Sequence, residues 1–75
     1  MPLLSPEVLK TVTRAVARKY PAVKQVRPTV RRGERGTVRL IYRIRASTAD
    51  GHTITQRVRV TVTPEGKILK MTLSH

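Results

Sequence analysis

Seventy-five residues with sixteen Lys and Arg, four Asp and Glu and no cysteine carry a net charge of +12. A chain of this length is expected to fold as one small domain, residues 1–75, that buries only about 60 to 65 per cent of the surface its unfolded form exposes. The missing thiols exclude a disulfide framework, a thiolate metal site and a cysteine nucleophile, and the lack of a long apolar run excludes a membrane-spanning helix.

Ser5-Pro6-Glu7 opens the first element. Ser5 offers its hydroxyl to an unpaired helix amide, Pro6 takes the first helical position where its missing N–H is harmless, and Glu7 complements the dipole. The predicted helix runs from Pro6 to about Tyr20. Val8, Leu9, Val12, Ala15, Val16 and Tyr20 form its buried stripe, and Lys10, Arg14 and Arg18, four apart, its solvent stripe. Pro21 ends it by pushing Tyr20 out of helical geometry.

Four strands follow. The first, about Val23 to Arg32, turns Val26, Pro28 and Val30 one way and Gln25, Arg27, Thr29 and Arg31 the other, and Pro28 marks it as an edge strand or a bulge. Gly33-Glu34-Arg35-Gly36 leads into a long second strand, Thr37 to Thr48. Asp50-Gly51 is a two-residue hairpin signal into the third, Thr53 to Thr63. Pro64-Glu65-Gly66 fits a type I turn closed by a glycine at positive φ, ahead of a fourth strand through Ile68, Leu69, Met71 and Leu73. Every connection is short, so the predicted fold class is α+β: one N-terminal helix packed on a four-stranded antiparallel meander, αββββ, with Val12, Val16, Tyr42, Ile44, Val60 and Leu73 in the core.

The charge follows the strand period. Arg39, Arg43 and Arg45 share a face with Arg57 and Arg59, while Leu40, Tyr42, Ile44, Val58, Val60 and Val62 share the other. Arg27, Arg31 and Lys70 join the basic set. Residues two apart on a strand lie about 6.5 to 7 Å apart and neighbouring strands about 4.8 Å, so these side chains form a donor lattice on the scale of successive phosphates. Arginine outnumbers lysine eleven to five, and its planar fork takes phosphate bidentately. A face kept basic only for solubility would intersperse Glu and Asp. The only aromatics, Tyr20 and Tyr42, sit on apolar faces, so stacking on single-stranded bases is not provided. The expected ligand is duplex DNA or structured RNA, held through its phosphates with weak sequence preference, and Gln25, Thr29, Thr55 and Thr61 add polar contacts.

Catalysis is not expected, and neither is a cofactor. Glu7, Glu34, Asp50 and Glu65 fall at a helix start or in turns, too scattered to flank a pocket. Asp50 and His52 are too few ligands for a metal, and His75 stands alone. Gly33 and Gly36 do not lead from a strand into a helix, as a phosphate loop requires.

The helix ending in Tyr20-Pro21, the strand through Val26 and Val30, the long strand Val38 to Ala46, the Asp50-Gly51 turn and Glu65-Gly66-Lys67-Ile68 before the last strand resemble the C-terminal half of the nuclear transport factor 2-like and SnoaL-like families of the cystatin-like α+β superfamily. The same helix, strands and Gly-Lys-Ile turn are similar to PepSY domains. The resemblance implies the helix-on-sheet architecture. It carries over no catalytic residue, because those enzymes place acids or histidines at inward strand positions and none stands there in this sequence.

Two other classes of function fit the charge. One is an interaction module for an acidic protein, and the other a scaffold, natural or engineered, without a ligand. Tethering to an anionic membrane through Lys10, Arg14 and Arg18 conflicts with the core's need for the helix's apolar stripe. A cytoplasmic location is expected, and Met1 to Leu4 is too short a segment to target the chain elsewhere.

Overall fold

A computed structural model describes residues 3–74; His75 and the first two residues of the Met1 to Leu4 segment lie outside them. Helix α1 spans Pro6–Ala17, and four strands follow: β1 (Thr29–Arg32), β2 (Val38–Ser47), β3 (Thr53–Val62) and β4 (Ile68–Ser74). They form one antiparallel sheet in the order β1-β2-β3-β4, so the αββββ meander is the fold.

The helix starts as its sequence dictates. The Ser5 Oγ accepts the Val8 N–H at 3.2 Å, with Pro6 and Glu7 in the first turn. Its end comes earlier than Tyr20. The Lys19 N–H bonds the Val16 carbonyl at 3.0 Å, an i→i+3 contact that tightens the last turn, and Tyr20 lies outside the helix at φ −129°.

The larger departure is at the first strand. Residues Pro21–Gln25 form a 3-10 turn that buries Val23, and the ladder begins only at Thr29. Pro21 supplies a fixed φ suited to that turn, and Pro28 has no N–H to offer a ladder. The chain is extended from Val26, at φ −128°, and exposure still alternates, with Gln25, Arg27 and Thr29 out and Val26, Pro28 and Val30 half-buried.

The three hairpins each turn through three residues. The Thr48 N–H bonds the His52 carbonyl at 2.8 Å, leaving Ala49, Asp50 and Gly51 as the loop where a two-residue Asp50-Gly51 turn was expected. A type I turn followed by one left-handed residue accounts for this, and Gly51 stands at φ 85°. The β3–β4 loop repeats the pattern, with Thr63 N–H to Lys67 carbonyl at 2.9 Å and Gly66 at φ 98°. In both loops the threonine hydroxyl takes a second amide, Thr48 from His52 at 3.1 Å and Thr63 from Lys67 at 3.0 Å. Gly66 also meets the helix, since a Cβ there would lie 3.0 Å from the Val8 Cγ1.

The core lies between α1 and the inner face of β2 and β3. Val12, Val16, Val23, Leu40, Tyr42, Ile44, Val58, Val60 and Val62 are buried. The Tyr42 hydroxyl, deepest of the polar groups, is bonded to Thr13 Oγ1 at 2.8 Å across the helix–sheet seam. Burial pushes its phenol pKa up, against the smaller opposing effect of that bond, so Tyr42 stays neutral. Leu73, expected in the core, is 38% exposed: it lies opposite Val58 on the inner face, but on the edge strand β4, whose Ile68 and Met71 do pack against the core. A bulge at Thr61/Val62 leaves Leu69 unpaired between Lys70 and Ile68, and it is exposed too.

Candidate functional site

The strand register places the outward side chains in rows. Arg31, Arg39, Thr61 and Lys70 stand side by side across all four strands, followed by Thr29, Ile41, Arg59 and Thr72. Arg43, Arg57 and Ser74 form the third row, Arg45 and Thr55 the fourth, and Ser47 and Thr53 the last. Seven cations and seven hydroxyl-bearing residues therefore share this face with a single apolar side chain, Ile41. None of its residues is a carboxylate.

Two of these contacts are like-charge pairs: Arg31 directly faces Arg39, and Arg43 directly faces Arg57. Directly opposed side chains have Cβ atoms only about 4.5 to 5.5 Å apart, and like charges so placed are unfavourable. Among the described residues no carboxylate answers the charge. Among the described residues the ion pair is His52 Nδ1 with Asp50 at 2.9 Å, at the β2–β3 loop, and no Arg or Lys is paired with a carboxylate.

Two adjoining recesses open on the face. One of about 420 Å³ is lined by Arg39, Ile41, Arg59, Thr61, Lys70 and Thr72, and one of about 300 Å³ by Thr29, Arg31, Ile41, Arg43, Arg57 and Arg59. They share Ile41 and Arg59. Each offers guanidinium and hydroxyl donors around a half-buried apolar side chain, Ile41, a donor-rich surface that suits an anion with several acceptor oxygens.

Of the sequence-predicted site residues, Arg31, Arg39, Arg43, Arg45, Arg57, Arg59 and Lys70 come together on this face. Arg27 does not join the lattice, because the ladder starts two residues later, after Pro28. Gln25 sits in the 3-10 turn, away from the strand rows. Thr29, Thr55 and Thr61 hold face positions, and Ile41, Ser47, Thr53, Thr72 and Ser74 are additions that counting every second residue along the ladders supplies. Ile41 is the informative one. It interrupts the arginine alternation between Arg39 and Arg43 and becomes the floor of both recesses.

A third recess, about 530 Å³, lies on the helix side and is lined by Pro6, Leu9, Lys10, Thr13, Arg14 and Lys24. Among the described residues no group of three or more His, Cys, Asp and Glu converges, and no helix is long and apolar enough to cross a membrane. No family model matches the chain, and neither a curated protein nor a solved structure matches it.

Proposed function

We propose that the chain binds nucleic acid, duplex DNA or structured RNA, by gripping backbone phosphates with the basic sheet face. The observation that carries this reading is the two directly opposed arginine pairs, Arg31 with Arg39 and Arg43 with Arg57, on a face with no carboxylate among the described residues. An isolated fold gains nothing from such pairs. A polyanion turns both from repulsion into shared phosphate clamps, and its counterions are released on binding. The interleaved Thr and Ser hydroxyls suit sugar and phosphate oxygens, which receive half or more of the hydrogen bonds in protein–DNA contacts.

A salt titration tests it. With about five or six phosphates neutralised, the logarithm of the association constant for duplex DNA falls against log salt with a slope of roughly −5. Arg39→Ala flattens that slope by about one and weakens unrelated sequences alike. Arg18→Ala, at the end of the helix, does much less. If the helix variant is as damaging as the strand variant, the sheet face is the wrong surface.

A second reading rests on the helix-side recess. Its Pro6 and Leu9 floor beneath Lys10, Arg14 and Lys24 suits an acidic protein segment with apolar side chains. That reading leads if no nucleic acid or heparin binds below millimolar at physiological salt while an acidic amphipathic peptide does.

A further inference from the structure

Arginines surround Ile41 on the outer face. Arg39 and Arg43 stand two residues to either side on its own strand, Arg59 lies directly across on β3, and Arg31 and Arg57 occupy the diagonals. Every other uncharged position in the strand rows of this face holds a threonine or a serine. A threonine at 41 would space the charges equally well, so spacing alone does not account for the isoleucine. Its half-buried side chain offers a ligand apolar contact and no hydrogen bond.

Both recesses of the face open beside it. The first is centred over β3, between the row of Arg39 and Thr61 and the row of Ile41 and Arg59, and the second over β2 near Ile41 itself. Ladder spacings put these centres about 5 Å apart across the strands and about 4 to 5 Å along them, roughly 6 to 7 Å overall. Arg59 lines both, so one guanidinium serves either recess.

We infer that the two recesses seat two successive phosphates of one nucleic-acid strand, with the intervening sugar over Ile41 and Arg59 bridging the phosphates. The inference rests on the phosphate-gripping reading above and gives it a register and a minimal ligand, one dinucleotide step. Spacing and the isoleucine select this unit together. Successive phosphates on a strand lie about as far apart as the recesses, and between them sits a sugar whose C–H face takes an apolar partner. Phosphates of opposite strands face each other across a groove, where no part of the ligand would cover Ile41. A polyphosphate has no sugar at all and leaves Ile41 against water. Arg39 and Lys70 answer the phosphate in the first recess, and Arg31, Arg43 and Arg57 the one in the second. The five N–H donors of the Arg59 fork suffice for an oxygen of each. The line joining the recesses runs obliquely across the sheet, so Arg45, in the fourth row, lies off it.

The test is a nuclear magnetic resonance titration in dilute salt with a thymidine dinucleotide bearing a terminal phosphate, two phosphates in all. Thymidine monophosphate supplies one phosphate, and tripolyphosphate supplies charge without sugar. The dinucleotide is expected to bind about tenfold tighter than the mononucleotide, the gain from a second set of charge-assisted bonds, and its sugar protons to give nuclear Overhauser contacts to the Ile41 methyls. Ile41→Thr, with an unchanged thermal melt, weakens the dinucleotide and duplex DNA about threefold, through lost apolar contact, and leaves the salt slope and tripolyphosphate binding as they were. Arg59→Ala weakens duplex binding more than Arg45→Ala does and brings dinucleotide and mononucleotide within about twofold of each other. A dinucleotide no tighter than the mononucleotide, or Ile41 methyls without sugar contacts, overturns this seating, and duplex DNA that still binds with its salt slope leaves the phosphate grip standing. Failure to bind duplex DNA in dilute salt sinks both readings together.

Discussion

The two faces of β2 and β3 are built from the same strands and obey opposite rules. On the inner face Leu40, Tyr42, Val58 and Val60 are wholly buried, and Thr13 completes Tyr42, so every group there is satisfied within the chain. On the outer face Arg31 confronts Arg39, Arg43 confronts Arg57, and no described carboxylate pairs with any of them. The inner face accounts for the fold without reference to a partner. The outer face leaves its like charges directly opposed.

The inner face breaks most expensively. Val60→Ala is expected to lower unfolding stability by about 2 kcal/mol, as the loss of buried methyl groups leaves a cavity the neighbouring valines do not fill. Urea denaturation reads it. A loss below about 0.5 kcal/mol would mean that the helix does not pack where Val60 lies. Gly66→Ala comes next, at about 1 to 2 kcal/mol, because φ 98° is strained for any side chain and the new Cβ presses on the Val8 Cγ1.

The outer face is expected to respond with opposite sign. Arg57→Thr relieves the repulsion against Arg43 and should raise stability by roughly 0.2 to 1 kcal/mol while weakening binding to duplex DNA. Salt and heparin should each raise the melting temperature of the wild-type chain, salt by screening and heparin by binding the folded lattice, and the variant should gain less from both. If Arg57→Thr is destabilising and heparin leaves the melting temperature unmoved, the guanidinium stacks usefully on its own sheet and the contrast between the faces disappears.

How far these features were legible in the sequence depends on how local their causes are. The Ser5-Pro6-Glu7 start, the Gly66 turn and the alternation of Arg39 through Arg45 against Leu40 through Ile44 are written in neighbouring residues, and the structure repeats them. The first strand was not, since alternation from Gln25 to Arg31 reads as a strand even though Pro28 withholds the ladder and Pro21 winds the preceding residues into a 3-10 turn. Leu73 shows a different limit. Alternation correctly put it on the inner face, but burial depends on what covers that face, and on the edge strand Met71 and Ile68 are covered where Leu73 is not.

The smallest expected effect lies at the β2–β3 loop, where the two faces meet and neither rule dominates. The Thr48 hydroxyl, and after it the His52 imidazole, hold the Asp50 carboxyl below its ordinary value of 3.8. A carboxyl whose folded pKa is depressed adds stability above its unfolded value and loses it as pH falls through the folded one. The tip contacts should therefore persist at neutral pH and weaken only below about pH 4, where Asp50 begins to protonate. Exposure to solvent keeps the effect slight, so Asp50→Asn should barely move the melting temperature at pH 7, and the difference from wild type should shrink progressively as pH falls below the ordinary carboxylate range. A carboxyl titration followed by NMR checks the premise directly. An Asp50 midpoint at or above 3.8 would show that neither Thr48 nor His52 holds it, and the loop would then rest on its backbone bonds, the Thr48 hydroxyl's bond from the His52 amide and Gly51.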